Sequence, residues 1–244
     1  MTLGLGYDWS RGDYDARPSR TTEIQFATLS LAYLSPELPL TKGAHDWLEI
    51  RATLPVVEVS GPGSVDRVGS FVGGAPRNTE RQRGLGDVVL RGSYFVAAPR
   101  ESWLPNVDVS AQVKFPTADA SRGLGTGRTD VTVELGVSRR FGPFTPFGSI
   151  GRRFMGEPRF VRLVDRWLAS GGVSWRLHEA LTVGVLYDWR HAAQPGNEHA
   201  NEIVAFSWWR ARPGLRFGPY AVAGLTEGSP DYALGAQLRL DWNP

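Results

Sequence analysis

Cysteine is absent from the 244 residues, which excludes disulfide frameworks, thiolate metal sites and cysteine nucleophiles together. Long apolar runs are lacking as well. None approaches the ~18–20 residues that a membrane-spanning helix needs, so a helical membrane protein is excluded. Net charge is small: 27 Lys and Arg against 25 Asp and Glu leave +2, and the pI of 9.1 reflects arginine rather than a nucleic-acid-binding surface. The 29 glycines follow no three-residue period and aromatics reach 11%, which excludes collagen-like and disordered chains. A secretory signal is also missing, since Met1 leads straight into a patterned segment. The chain reads either as an intracellular protein or as a mature one with an added initiator. A mean hydropathy of −0.24 would suit a soluble protein, but it is blind to how the apolar residues are ordered.

That order has a period of two. Leu3, Leu5, Tyr7 and Trp9 alternate with Gly4, Gly6, Asp8 and Ser10, and the same rhythm returns at 107–115, 131–138, 181–190 and 231–242. Successive side chains on a strand point to opposite faces, so each segment carries one apolar and one polar face. The pattern predicts twelve strands, over 2–12, 20–34, 45–59, 84–98, 104–116, 128–141, 144–155, 165–177, 180–191, 201–211, 214–226 and 231–242. In the second, Ile24 and Phe26 share one parity and Leu29, Leu31 and Tyr33 the other, which predicts a bulge. In the seventh, Arg152 and Arg153 are adjacent, so one must face outward and snorkel. The eleventh has apolar residues on both parities and is left unoriented.

Short connections at 142–143, 178–179 and 212–213 alternate with long polar ones at 13–20, 60–83, 117–128, 156–164 and 191–201. An up-and-down barrel with one short-turn rim and one long-loop rim has this layout. The whole chain, 1–244, then forms one all-β domain, a transmembrane antiparallel barrel with a polar lumen. A soluble sandwich also alternates, but here the polar face is charged with both signs on most strands. Trp9, Trp175, Trp189, Trp209 and Trp242 fall near strand ends, as girdles around a lipid-facing band would. The expected lumen-lining residues are Glu49, Arg51, Asp87, Arg91, Asp108, Lys114, Asp130, Glu134, Arg176, Asp188, Arg190, Glu202, Arg210 and Arg239. Most of these charges are expected to pair across neighbouring strands. Leu168, Leu186, Val204, Phe206 and Trp208 share the inward parity and predict an apolar constriction; a one-residue slip in 201–211 would turn Ile203, Ala205, Ser207 and Trp209 inward instead.

The run Lys114-Phe-Pro-Thr-Ala-Asp-Ala-Ser-Arg-Gly-Leu-Gly-Thr-Gly-Arg-Thr-Asp130, preceded by Arg83-Gly-Leu-Gly-Asp87, resembles outer-membrane proteins grouped under the meta-pathway of phenol degradation. Pro143-Phe-Thr-Pro-Phe147, Arg153-Phe-Met-Gly156 and Gly228-Ser-Pro-Asp231 add to the likeness. It implies a bacterial outer-membrane barrel that passes small molecules, aromatic ones among them, or one that serves polypeptide secretion. Its motifs mark barrel construction, so no catalytic or binding residue is carried over. The terminal aromatic usual for the barrel-assembly machinery is replaced by Trp242-Asn243-Pro244.

Other constellations read as ordinary structure. Gly123-Leu-Gly-Thr-Gly127 has Arg122 where a Walker loop needs glycine, and a strand rather than a helix follows, so it is a flexible loop. His191, Glu198 and His199 share a long loop without the spacing of a dedicated metal site. Asp188 and His191 lack a serine in a strained turn, so hydrolase chemistry is not expected, and no cofactor is implied. A width of twelve strands lies between side-chain-filled and aqueous barrels. Two functions therefore stand: a passive channel for small solutes, and a structural or secretion-associated barrel with a closed lumen. The expected partners are the outer-membrane bilayer, a small-molecule solute and the assembly machinery, with no nucleic acid.

Overall fold

The computed structural model describes residues 1–12, 21–38, 45–61, 81–99, 102–157 and 162–242. The connection at 13–20, most of that at 60–83 and the centre of that at 156–164 fall outside these residues.

Alternating β-branched, aromatic and small residues give thirteen antiparallel strands: β1 (Thr2–Gly12), β2 (Thr22–Leu34), β3 (His45–Ser60), β4 (Gln82–Leu85), β5 (Val89–Ala97), β6 (Asn106–Lys114), β7 (Asp130–Ser138), β8 (Phe144–Phe154), β9 (Arg166–His178), β10 (Leu181–Arg190), β11 (Ala200–Arg212), β12 (Leu215–Gly224) and β13 (Tyr232–Asp241). Each pairs with its neighbours in sequence except that β4 and β5 do not pair with each other, and β1 pairs with β13 from Thr2↔Asp241 to Arg11↔Tyr232, which closes the sheet. Because β4 and β5 both pair with β3, they occupy one place, and the barrel has twelve staves. Closure pairs every long strand on both sides, the condition for a sheet to cross a bilayer, and only short β4, near the loop rim, is paired on one side among the described residues.

The break between β4 and β5 has a sequence cause. The carbonyl of Pro55 in β3 accepts from Gly86 N–H at 2.9 Å, so the edge from which proline's donor is missing faces this point. Thr53 pairs with Val89 and Val56 with Leu85, so three residues, Gly86 to Val88, span the gap opposite two. The strand bulges there and releases Asp87 from the ladder.

The even count puts both ends of the chain at one rim, where the Met1 amino group donates to Trp242 O at 2.8 Å. This terminal rim carries the tight turns; Gly142 (φ +59°) and Gly214 (φ +77°) take the left-handed conformation two of them require. The opposite rim carries the long connections and is called the loop rim below.

The predicted faces hold. Leu5, Tyr7, Leu29, Leu31, Val133, Leu135, Ile150, Val185 and Leu234 are all exposed on the outer surface, a contiguous apolar belt that water would not tolerate and lipid would. Arg152 is the outward member of its pair. It lies over Phe154 and Trp167 and bridges Asp165 at 3.2 Å, while Arg153 points inward and is buried. Trp9 packs at a tilt against Tyr232 and Trp175 stacks on Phe144, ring centroids 5.5 Å apart in both, on the outer face towards opposite rims. The unoriented eleventh segment resolves as β12, with Phe217 outward opposite Trp209 and Arg216 inward opposite Arg210.

The bulge expected in β2 is not there. Its register runs unbroken from Glu23↔Ser60 to Leu34↔Glu49. Ile24 and Phe26 are apolar and inward, so the change of parity reflects an apolar patch inside the barrel.

Candidate functional site

The lumen divides into two halves of different character. Towards the loop rim it is filled. Ile24, Phe26, Val57 and Val59, inward on the paired strands β2 and β3, form a buried cluster with Ala118 and Leu124. Leu124, 2% exposed, comes from the connection between β6 and β7, which folds back into the barrel. A Cβ at Gly84 on the inner face would meet Leu124 Cδ1 at 2.6 Å, so glycine makes room for this leucine.

Charge holds the same connection. Lys114, 2% exposed, reaches Asp87 at 2.7 Å and Asp130 at 3.2 Å, and donates to Thr126 Oγ1 at 2.9 Å. Asp87 in turn accepts Ala118 N–H at 3.0 Å. Asp119 caps the 3-10 turn Ala120–Arg122, accepting from Ser121 N and Oγ, and the Ser121 hydroxyl holds its carboxyl below the ordinary aspartate value. Arg122 Nε donates to Gln82 Oε1 on β4 at 3.1 Å. The segment read from sequence as a flexible loop is thus a docked one, tied at both ends and pinned by Leu124.

Across the barrel, the loop-rim half is also packed. Arg153 donates to Thr132 Oγ1 at 3.0 Å, Arg190 bridges Asp188 at 3.1 Å and also Glu202, and Tyr220 donates to Asp8 at 2.6 Å. These groups are buried or half-buried and braced against one another.

The terminal-rim half is hollow. A cavity of about 490 Å³ is lined by Thr28, Ser30, Glu49, Arg51, Thr53, Arg91, Ser93, Gln112, Gln237 and Arg239. It adjoins two further hollows, which share Arg239 with it and open beside Asp241 and Trp208. One wall is apolar. On β11 the inward side chains run Glu202, Val204, Phe206, Trp208, Arg210 from loop rim to terminal rim, so the register read from sequence is correct. Phe206 faces Phe147 with centroids 6.2 Å apart and lies over Gly184, while Trp208 lies over Gly218, where a Cβ would sit 2.7 Å from the indole. Glycines on adjacent strands let both rings lie flat on the wall.

The inward charges do not all pair. Within β3, Arg51 bridges Glu49 at 3.0 Å, and Arg216 bridges Asp241 at 2.6 Å. Arg91 donates to the hydroxyls of Ser93 and Ser110, and Arg239 rests on the Trp208 ring at 4.7 Å. Among the described residues, no carboxylate lies within ion-pair reach of Arg91, Arg176, Arg210 or Arg239. Asp108 packs over Gly136, and Glu134 stands beside Gly151. The expected cross-strand ladder is therefore confined largely to the loop-rim half.

His191 and His199 approach to 4.6 Å between ring centroids beside Trp189, but Glu198 turns away and accepts Glu227 N–H. Asp188 is engaged by Arg190 inside the barrel, apart from His191. Sequence reading missed Leu124. The available signal was the apolar inward parity shared by Ile24, Phe26, Val57 and Val59, which requires something inside to cover it.

No protein-family model matches this chain, and no curated protein matches it. Solved structures do. It is similar to an outer membrane channel from Pseudomonas putida F1, with a TM-score of 0.74 at 14% identity over 98% of this chain and 94% of that one. It is similar also to the NanC porin (TM-score 0.57, 8% identity, 99% and 100% covered). A third likeness is to the beta domain of the Bordetella autotransporter BrkA (0.56, 11%, 99% and 98%). At such identities the likeness is one of fold, and the fold is that of outer-membrane barrels.

Proposed function

We propose that this barrel lies in the outer membrane of a Gram-negative bacterium and passes small molecules through its lumen, apolar and aromatic ones among them. The docked connection Phe115–Thr129 is its gate. The observation that carries this reading is the hollow terminal-rim half, walled by Trp208 on one side, with Phe206 one inward position further along β11, and by polar groups on the other. A purely structural barrel has no need of such a space. The outer membrane channel of similar fold and the resemblance to the phenol meta-pathway grouping point the same way. In this orientation the terminal rim faces the periplasm. A solute entering from outside would displace Leu124 from its apolar seat, pass the waist, and leave through the hollow.

The filled half favours a second reading, a closed barrel that bears on secretion or membrane structure. Planar-bilayer conductance separates the two. Purified protein should give small, intermittent steps, and replacing residues 118–127 by a short Gly-Ser link should enlarge them several-fold. Silence from both proteins, with folding intact, would establish the closed barrel.

A further inference from the structure

We propose that the hollow half of the lumen holds a binding site for a small organic anion, its carboxylate among the arginines and its apolar body against Phe206 and Trp208. The inference rests on the proposed passage of solute through the lumen and adds the solute's charge.

Strand register is the starting point. Arg210 on β11 pairs directly with Arg216 on β12, and Arg216 with Arg239 on β13. Arg51 on β3 likewise faces Arg91 on β5. Like charges directly opposite on one face of a sheet repel. Among the described residues, Glu49 and Asp241 are the carboxylates in ion-pair contact with these five arginines, through Arg51 and Arg216, while Asp108 acts on Arg91 from farther off. That leaves Arg91 on hydroxyls and Arg239 on an amide oxygen and a ring, and together with Arg210 they make a net positive wall. In the loop-rim half the same repulsion between Arg153 and Arg166 is answered by buried carboxylates, so the shortage here is local.

An anion completes the arrangement. Guanidinium groups present planar pairs of N–H donors that match a carboxylate, and Arg239 is held in place by its stacking on Trp208. The body of the ligand follows from β11. Phe206 lies one inward position (about 7 Å) from Trp208, and Trp208 one from Arg210, so the apolar surface runs on directly from the cationic row, where Arg239 already rests on the indole. A single ring bearing one carboxylate spans that distance. The hollow lined by Trp208, Arg210, Arg216 and Arg239 has about 350 Å³ and admits it.

The test is calorimetric titration of benzoate, benzamide and acetate into the intact detergent-purified barrel. Benzoate should bind at least ten-fold more tightly than benzamide, which lacks the charge, or acetate, which lacks the ring. Arg239→Gln and Arg210→Gln should each weaken benzoate at least ten-fold, with folding checked by heat-modifiable gel mobility. Trp208→Leu should weaken benzoate more than acetate, since acetate loses only the seating of Arg239. Equal binding of benzoate and benzamide, or unchanged benzoate affinity in both folded arginine variants, would overturn the site. Binding in detergent does not depend on conductance. Benzoate binding by a barrel that never conducts would keep the site and remove the channel, and conductance without benzoate binding would do the reverse.

Discussion

At the scale of single residues, the alternation of faces carries most of the information, because a strand offers each side chain only two directions. Leu54 and Thr53 stand at mid-height on β3 and show what that choice is worth. Leu54 is exposed on the lipid face, while Thr53 is half-buried and lines the hollow beside Glu49. Leu54→Arg should cost ~2–4 kcal/mol in a lipid-refolding titration, as a cation near the bilayer midplane does. Thr53→Arg should cost far less, since it meets the water of the hollow rather than lipid. Equal losses would contradict the lipid-facing assignment. Thr132, on the same inward parity, would not serve as the control, because it is buried and already accepts from Arg153. Parity was thus legible from sequence at Leu186 and Phe206, and for Arg152 and Arg153 only as far as one of the two facing outward, but the fill behind each inward residue was not. Nothing local to Ile24 says that Leu124, 100 positions away, will cover it.

At the scale of elements, the connection Phe115–Thr129 is shaped by a chain of causes that begins in another strand. Pro55 breaks the ladder, the break frees Asp87, and Asp87 holds both Lys114 and Ala118. Twelve staves could be counted from alternation and turn residues, since those signals are local. The latch could not, because it joins a bulge in one strand to the end of another. Removing Lys114 leaves Asp87 and Asp130 facing each other without their cation, a loss of ~3–5 kcal/mol for a buried pair deprived of one partner. The effect should fall on the connection. In Lys114→Met, limited trypsin digestion of the reconstituted barrel should cut at Arg122 and Arg128 several-fold faster than in the parent, with the strands still protected. Asp119→Asn should loosen only the 3-10 turn and act more weakly. Unchanged cleavage in Lys114→Met would show that Leu124 alone holds the segment in place.

At the scale of the whole molecule, closure and parity of strand number decide where everything lies relative to the membrane. Twelve staves return the chain to the rim it left, which fixes the long connections and the docked segment Phe115–Thr129, the proposed gate, at the other. The same arithmetic orients the lumen, with the packed half and Leu124 on one side and the arginine wall on the other. Sequence spacing suggested alternating charges around the interior. Only register brings Arg210, Arg216 and Arg239 into line, because residues far apart in the chain become neighbours through pairing. If the loop rim faces the cell exterior, a solute meets the gate first and the cationic hollow second, and the site retains what the gate has admitted. The absence of native cysteine makes that orientation directly measurable, since an introduced thiol is the only one present. Asn197→Cys lies exposed on the loop rim and Glu179→Cys in an exposed turn on the terminal rim. Gly142 is a poorer choice, because its positive φ would strain any side chain placed there. On whole cells, an impermeant maleimide should label Asn197→Cys and leave Glu179→Cys unlabelled, and both should react once the outer membrane is opened. The opposite pattern would reverse the barrel, place the arginine wall at the outer entrance, and make the docked connection an exit gate.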